Sequence, residues 1–359
     1  MIERVLKVPA PKVFAGPHGL SPTGLPLWQN PEAVAEGRLP MTAVVGASPT
    51  AEAARRWQEG GAADPARGPE APALGPWTLR LDGRWRFTLC PTPTAVPPRF
   101  HEPAFDDGAW AKVTVPGAWP LQGFDFPHYT NVQMPFAGAP PAVPEANPTG
   151  LYRRSFRCPK GWRGGRVTLE LGAAESVVFV YLNGQYLGFS KDSRLPAQFE
   201  LTEALQAGEN LLALMVVRYS DASWLEDQDH WWLAGLHRSV RLHFRPAVHV
   251  SDLALCADAD GGWQAQAWLS TPAPGYCLRG RLETLAGAPL GRAQEVAFSV
   301  DATASIWTTL TDEGPRAVLG GQLARPKCWS PESPHLYRLV LELLDDRGRV
   351  VEALAPRLG

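Results

Sequence analysis

The chain has no long apolar run, and its basic and acidic residues nearly balance. None of its 359 residues lies in a stretch that approaches the roughly 20 apolar residues of a membrane-spanning helix, and the N-terminus lacks an apolar run of signal-peptide length. A formal net charge of −2 gives no electrostatic reason to expect nucleic acid or an acidic membrane surface as a partner. We therefore expect a cytoplasmic protein that binds neither.

Cysteine is also scarce, and several common chemical motifs do not occur. The five cysteines are scattered and odd in number, and no two have C-x-x-C spacing. This pattern favours buried thiols in a reducing compartment over a disulfide framework or a zinc site. The sequence contains no His/Glu cluster with metal-ligand spacing, no G-x-S-x-G elbow and no phosphate-binding loop. The chemistry that these motifs perform is therefore not expected of residues 1–359.

What the sequence does contain is a β pattern in two blocks, so we predict an all-β fold. The length and the 45% hydrophobic content suit two or three domains with sizeable cores. Residues 1–72, rich in Pro, Gly and Ala, predict an irregular N-terminal arm with one helix around residues 50–60. Short strands with turn signals between them predict a jelly-roll sandwich over residues 73–247. A second β pattern predicts an immunoglobulin-like sandwich over residues 248–359.

Three segments carry the strand prediction for the first block. Residues 84–89 (RWRFTL) alternate between polar and apolar, as a half-buried strand does, and residues 166–171 (RVTLEL) place their apolar side chains on one face. Asn183 and Gly184 separate two apolar runs. This dipeptide predicts a two-residue hairpin, because a type I′ turn needs positive φ at both central positions.

The segment from Ser220 to Trp232 is the most informative stretch of the chain. It holds four carboxylates, an amide and three tryptophans in thirteen positions, directly after an apolar strand. Surface loops rarely collect so much aromatic area, and cores rarely collect so much charge. Sugars present hydroxyls at their edges and C–H groups on their faces, so this composition indicates a carbohydrate site.

Seven ungapped strings of residues between positions 82 and 238, with one further string on each side, carry a resemblance to a known family. They are Asp82–Phe87, Pro91–Pro97, Gly123–Val132, Asn147–Arg153, Asp192–Pro196, Ser220–Trp232 and Gly235–Arg238, with Trp28–Pro31 upstream and Trp329–Tyr337 downstream. In these strings the chain resembles the N-terminal sugar-binding domain of family 2 glycoside hydrolases, specifically the lacZ-type β-galactosidases. The downstream string resembles the close of the family's second, immunoglobulin-like domain.

The resemblance implies roles for three residues. Asn131 occupies the position from which the family lends an asparagine to the galactosyl site, and Val132 matches a neighbour that lines the same pocket. Asp229 matches the aspartate that contacts sugar hydroxyls and a bound sodium ion. From the residues alone, Asn131 could instead be a turn amide and Asp229 a loop carboxylate tied to backbone N–H groups.

Neighbouring residues are assigned structural roles. We expect Glu226 and Asp227 to shape the loop by hydrogen bonding. Trp231 and Trp232 are expected to pack in the core or between domains rather than to stack on sugar. We further expect uncovered apolar area around Trp224, Trp231 or Trp232.

The resemblance also implies what the chain does not contain. In the family, hydrolysis of a terminal β-galactoside uses two glutamates on a TIM barrel with magnesium beside the acid/base, and such a barrel needs about 250 further residues. The expected partners are therefore a galactoside and a TIM-barrel catalytic region that lies in another chain or in a missing C-terminal part. On this hypothesis the chain alone is inactive. A homo-oligomer is a further possible partner, and the sequence does not fix the oligomeric state.

The alternative is a free-standing carbohydrate-binding or assembly module without hydrolase activity, since a jelly roll alone can bind sugars.

Overall fold

The computed structural model describes residues 24–42, 46–60, 75–131, 133–299 and 314–359. Among these residues strands predominate, in agreement with the all-β prediction. In the described residues before position 246, and apart from short 3-10 turns, the strands and α-helices are β1 (Ala35–Glu36), α1 (Ala51–Gly60), β2 (Thr78–Arg80), β3 (Gly83–Cys90), β4 (Ala111–Val115), β5 (Gly117–Ala118), β6 (His128–Tyr129), β7 (Thr149–Arg157), β8 (Arg166–Leu171), β9 (Val177–Leu182), β10 (Gln185–Lys191), β11 (Ala197–Glu200), β12 (Glu209–Val217), α2 (Ser223–Glu226), β13 (Trp231–Trp232), β14 (Gly235–Leu236) and β15 (Val240–Arg245). From residue 246 onward, they are β16 (Val250–Ala257), β17 (Gly262–Leu269), β18 (Cys277–Thr284), β19 (Gln294–Ala297), β20 (Arg316–Gln322), β21 (Tyr337–Leu344), β22 (Val350–Leu354) and β23 (Arg357–Leu358).

The chain divides into two compact units. The first unit comprises residues 1–41, 80–160 and 167–242, and the second comprises residues 42–79, 161–166 and 243–359. The described part of the N-terminal region is shared between them, because β1 pairs with β10 in the first unit whereas α1 packs near β22 in the second. No described helix is long and apolar enough to cross a bilayer.

The first unit is built around a seven-stranded antiparallel sheet in the order β1-β10-β9-β12-β7-β3-β4. A second sheet has the order β11-β8-β15-β2, and two ribbons pair β13 with β6 and β14 with β5. The central strands β9 and β12 are buried along nearly their whole length, because both of their faces are covered. Such strands have continuous apolar sequences, whereas β3 alternates and buries Trp85 and Phe87 on one face.

Two local predictions can be compared with the backbone directly. Asn183 and Gly184 have φ values of 53° and 89° and join β9 to β10, as predicted for the two-residue hairpin. Strand β8 buries its apolar face as predicted, but its other face is buried as well. There Glu170 is 2% exposed and lies 3.2 Å from the Arg241 guanidinium.

The second unit contains two sheets. One is three-stranded in the order β16-β17-β20, and the other joins β19-β18-β21-β22 with β23 also pairing to β21. In β17 the residues Ala265, Ala267 and Leu269 are buried and alternate with less buried neighbours, so each contributes to the core of this unit. These paired sheets form the predicted sandwich.

Candidate functional site

The predicted sugar-contacting residues lie on a two-stranded ribbon of the first unit. Strands β6 and β13 are antiparallel, with Tyr129 opposite Trp231 and His128 opposite Trp232. Two residues outward from the Tyr129–Trp231 pair, the two segments reach Asn131 and Asp229. The same end of one ribbon therefore carries both residues, although about 100 positions separate them in sequence.

Both predicted residues are exposed, and Asp229 has a defined neighbour. The Tyr129 hydroxyl donates a hydrogen bond to Asp229 Oδ1 at 2.6 Å, and this bond raises the pKa of the tyrosine. Asn131 has a φ of 48° in the turn that follows β6, and asparagine is one of the few residues that tolerate this conformation. Val132 lies outside the described residues.

A buried arginine fixes the ribbon to the main sheet. Arg218 follows β12 directly, and its side chain is 4% exposed. It forms an ion pair with Asp125, and its Nη2 donates to the backbone oxygens of Phe126 at 3.0 Å and Trp232 at 3.1 Å. Because these two oxygens belong to the two segments of the ribbon, one guanidinium sets their separation.

The loop that carries Asp229 begins with a short helix rather than an extended segment. Helix α2 ends at Glu226, whose carboxylate accepts hydrogen bonds from the backbone N–H of Ser193, at 2.8 Å, and from its hydroxyl. The expected structural role of Glu226 is consistent with these contacts. The same expectation is not met for Asp227, whose Oδ1 is buried and has no hydrogen-bond partner among the described residues.

A buried carboxyl lies behind this loop. Glu175 is 4% exposed and accepts a hydrogen bond from Arg194 Nη1 at 3.0 Å. Burial raises the pKa of the Glu175 carboxyl to about 7, although the Arg194 guanidinium acts in the opposite direction. Burial and the same guanidinium lower the pKa of His237 to about 4, so that histidine is neutral near pH 7.

The tryptophans of the segment differ in burial. Trp232 is 3% exposed and its Nε1 donates to Thr130 Oγ1 at 3.0 Å, whereas Trp231 is 58% exposed. The Trp231 ring lies 5.5 Å from the Tyr129 ring, centroid to centroid. Trp232 is thus a packing residue as expected. The same expectation is wrong for Trp231, which leaves apolar area uncovered beside Asp229.

Sequence reasoning missed Tyr129, Glu175 and Arg218. Tyr129 lies inside one of the resemblance strings, but nothing in the sequence shows which residue of the string faces Asp229. Glu175 and Arg218 are charged residues that flank long apolar runs. A charge in that position is a detectable signal of a buried, paired group.

The second unit contains a separate cavity of about 210 Å³. Its lining includes Trp263, Trp329 and Tyr337 together with Asp258 and Lys327. Neither Asn131 nor Asp229 lines this cavity. We place the candidate site at the ribbon, where exposed polar groups of the required kind meet.

Comparison with known protein families identifies the class to which this chain belongs. Residues 79–246 match the model of the sugar binding domain of glycosyl hydrolases family 2, and residues 250–359 match a further model of glycosyl hydrolases family 2. Together these matches cover most of the chain, which therefore belongs to glycosyl hydrolases family 2.

Among curated relatives, the chain is 39% identical over 295 residues to a β-galactosidase of Psychromonas ingrahamii and 39% identical over 287 residues to one of Vibrio cholerae. Each match covers 78% of this chain and 27% of the relative. The chain thus spans about a quarter of the length of these relatives.

Solved structures show the same fold. The structure of Bifidobacterium dentium β-glucuronidase complexed with coumarin-3-O-glucuronide matches with a TM-score of 0.59 at 20% identity, over 79% of this chain and 49% of that one. A β-glycosidase from Bacteroides vulgatus matches with a TM-score of 0.57 at 18% identity, over 79% of this chain and 33% of that one.

Proposed function

We propose that this chain is the N-terminal sugar-binding portion of a β-galactosidase and forms one side of its galactosyl pocket. The observation that carries this proposal is the position of Asn131 and Asp229, both exposed, at one end of the β6–β13 ribbon beside the exposed Trp231 ring. The names of the curated relatives support galactosides as the substrate class.

The ribbon offers the contacts that a sugar needs. The Asp229 carboxylate can accept hydrogen bonds from sugar hydroxyls, the Asn131 amide can both donate and accept, and the Trp231 face can cover a C–H surface of the ring. A hydroxyl contact of this kind accelerates hydrolysis only if it strengthens in the transition state.

Bond cleavage is assigned to a catalytic TIM-barrel region outside this chain. Retaining hydrolysis needs two carboxyl groups about 5–5.5 Å apart, on opposite sides of the anomeric carbon. Glu226 is bound to Ser193 and one carboxylate oxygen of Asp227 is buried, whereas Asp229 is exposed, so Asp229 is the carboxylate that this loop offers to a sugar. One such group binds and orients the substrate, but it cannot act as both nucleophile and acid.

Asp229 also fits one part of a sodium site. Its Oδ1 accepts the Tyr129 hydrogen bond, whereas Oδ2 makes no hydrogen bond to a described residue and is exposed with the rest of the side chain. A hard oxygen of this kind suits Na⁺. No group of three or more His, Cys, Asp or Glu side chains within the described ranges could hold a metal ion, so Asp229 would be one ligand among oxygens of other kinds. Sodium bound there would add a positive charge that attracts a sugar hydroxyl.

A chimera tests the proposal. The matching N-terminal part of the Vibrio cholerae relative is replaced by this chain, and nitrophenyl-galactoside hydrolysis is measured. We expect Asp229→Ala to lower kcat/KM by about 100-fold and Asn131→Ala by about 10-fold, because each removes a hydrogen bond to the sugar in the transition state. Glu209→Gln, an exposed change on β12, is the control and should leave kcat/KM unchanged.

The unfused chain provides the opposite test. Cleavage of nitrophenyl-galactoside by the purified chain that survives Asp229→Ala would refute the assignment of catalysis to another region. In calorimetry we expect no galactose binding in the micromolar range, because the ribbon forms only one side of a pocket. Micromolar affinity would favour the free-standing binding module instead.

A further inference from the structure

Two short segments of the first unit are joined by side-chain contacts directly behind Asp229. One is the turn of residues 192–195, and the other is the loop of residues 226–230. Ser193 donates to Glu226 through its backbone N–H at 2.8 Å, and Arg194 Nη2 lies 3.5 Å from His230 Nε2. Asp229 is thus held between two anchored residues, Glu226 and His230.

Arg194 is itself fixed on its other side. Its Nη1 donates to Glu175 Oε2 at 3.0 Å, and the backbone of Glu175 pairs with Gly235, so the carboxyl belongs to the rigid part of the unit. Arg238 Nη1 donates to the backbone oxygen of Arg194 at 2.8 Å. Asp192 Oδ1 accepts from the backbone N–H of Arg194 at 3.3 Å and closes the turn.

The guanidinium therefore spans from a buried carboxylate to the residue next to Asp229. A planar guanidinium directs its N–H groups along fixed directions, so it can hold two partners at a set separation. Asp229 Oδ1 lies 2.6 Å from the Tyr129 hydroxyl. This hydrogen bond forms only if the 226–230 loop is held close to the ribbon.

We propose that Arg194, anchored by Glu175, is a positioning residue that holds the 226–230 loop so that Asp229 faces the sugar site. This inference rests on the proposed function for its consequence in catalysis, but the placement of Asp229 can be measured without any sugar. Arg194 itself need not touch substrate.

The test uses the full chain labelled with ¹³Cζ-tyrosine. The Tyr129 signal is assigned by its loss in Tyr129→Phe, and Asp229→Ala gives the position of that signal when the hydrogen bond is absent. We expect Arg194→Gln to move the Tyr129 signal toward the Asp229→Ala position, and Arg194→Lys to restore part of the difference. Arg99→Gln, which removes an exposed arginine paired with Glu102, is the matched control and should leave the signal in place.

Hydrogen exchange gives a second readout on the same variants. In Arg194→Gln we expect the amides of residues 227–231 to exchange about tenfold faster, while those of β9 and β12 stay at the wild-type rate. This pattern shows that the variant remains folded and that only the loop is released. An unchanged Tyr129 signal with unchanged loop exchange would overturn the positioning role.

The outcome is independent of the chimera experiment. If Asp229→Ala leaves the chimera fully active while Arg194→Gln still releases the loop, the proposed function fails but the positioning role stands.

Discussion

Each of the two units buries a glutamate against arginine, and the two carboxyl groups respond in opposite ways. Glu175 in the first unit has one arginine partner, Arg194, and burial raises its pKa to about 7. Glu283 in the second unit is fully buried too, and burial alone would raise its pKa. Hydrogen bonds from Arg55 and Arg281 instead hold the pKa of Glu283 below its usual value.

The difference comes from the number and geometry of the donors. Arg55 donates two hydrogen bonds to Glu283, Nε at 2.9 Å and Nη2 at 2.7 Å, and Arg281 adds its Nε at 2.8 Å. Glu175 receives one bond of 3.0 Å, from an arginine whose side chain is 42% exposed. A buried carboxylate is stable as an anion when enough donors replace its lost water. Glu283 has enough hydrogen-bond donors to stay ionised. Glu175, near the candidate site, has fewer donors and is stabilised as an anion only in part.

The largest expected effect is the removal of the well-bound carboxylate. Glu283→Ala leaves Arg55 and Arg281 facing each other without their anion, so we expect the free energy of unfolding to fall by about 3 kcal/mol. This loss is at the low end for breaking a buried ion pair, because the side chains of Arg55 and Arg281 are still 24% and 43% exposed to solvent. Urea denaturation followed by tryptophan fluorescence measures the loss. A loss below about 1 kcal/mol would remove the contrast between the two glutamates.

The second effect concerns pH. The folded state keeps the Glu175 proton up to about pH 7, whereas the unfolded state loses it near the ordinary value of 4.5. Stability from this group is therefore complete below about pH 4.5 and is lost as the pH rises through 7, by up to about 3 kcal/mol. Glu175→Gln has no proton to lose, so it should become more stable relative to wild type between pH 5 and pH 8.

Urea unfolding of both proteins at these two pH values provides the measurement. His237, with its pKa of about 4, gives the opposite pH dependence, but it is present in both proteins and largely cancels in the difference. If the difference between wild type and Glu175→Gln is the same at pH 5 and pH 8, then Glu175 is not protonated as described.

Some features of the fold and of the candidate site could be predicted from the sequence, and the partners of buried charged residues could not. The all-β class was predictable because β3 and β17 alternate and because Asn183–Gly184 permits one tight hairpin. The resemblance strings selected Asn131 and Asp229 as site residues without any coordinates, and their contact with sugar stays a prediction. Periodicity cannot show which distant charged residues meet, since Arg194 and Glu175 become neighbours only through the pairing of strands.

The N-terminal region illustrates the same limit. Composition predicted the helix around residues 50–60, and α1 spans Ala51–Gly60, where the Thr50 hydroxyl accepts from the N–H of Ala53 at 3.2 Å. Within the second unit, Arg55 of this helix donates to Glu283, 228 positions away in the sequence. No local pattern contains that information.

The smallest expected effect separates two adjacent arginines on α1. Arg56 pairs with Glu52 four residues earlier, and both side chains are largely exposed, at 67% and 74%. Exposed pairs of this kind contribute about 0.3–0.5 kcal/mol, because water and salt screen them. Arg56→Gln should therefore change the free energy of unfolding by less than about 0.5 kcal/mol, whereas Arg55→Gln should cost about 2 kcal/mol.

The two variants are matched controls for one another. Both substitute the same residue type in the same helix, so the change in helix propensity is the same to within a few tenths of a kcal/mol. Any further difference in urea denaturation reports on the partner of each arginine. Equal losses would show that α1 is held by its apolar side chains, such as Ala54, which is fully buried. A large loss for Arg55→Gln alone would show that the buried carboxylate of Glu283 holds the helix in place.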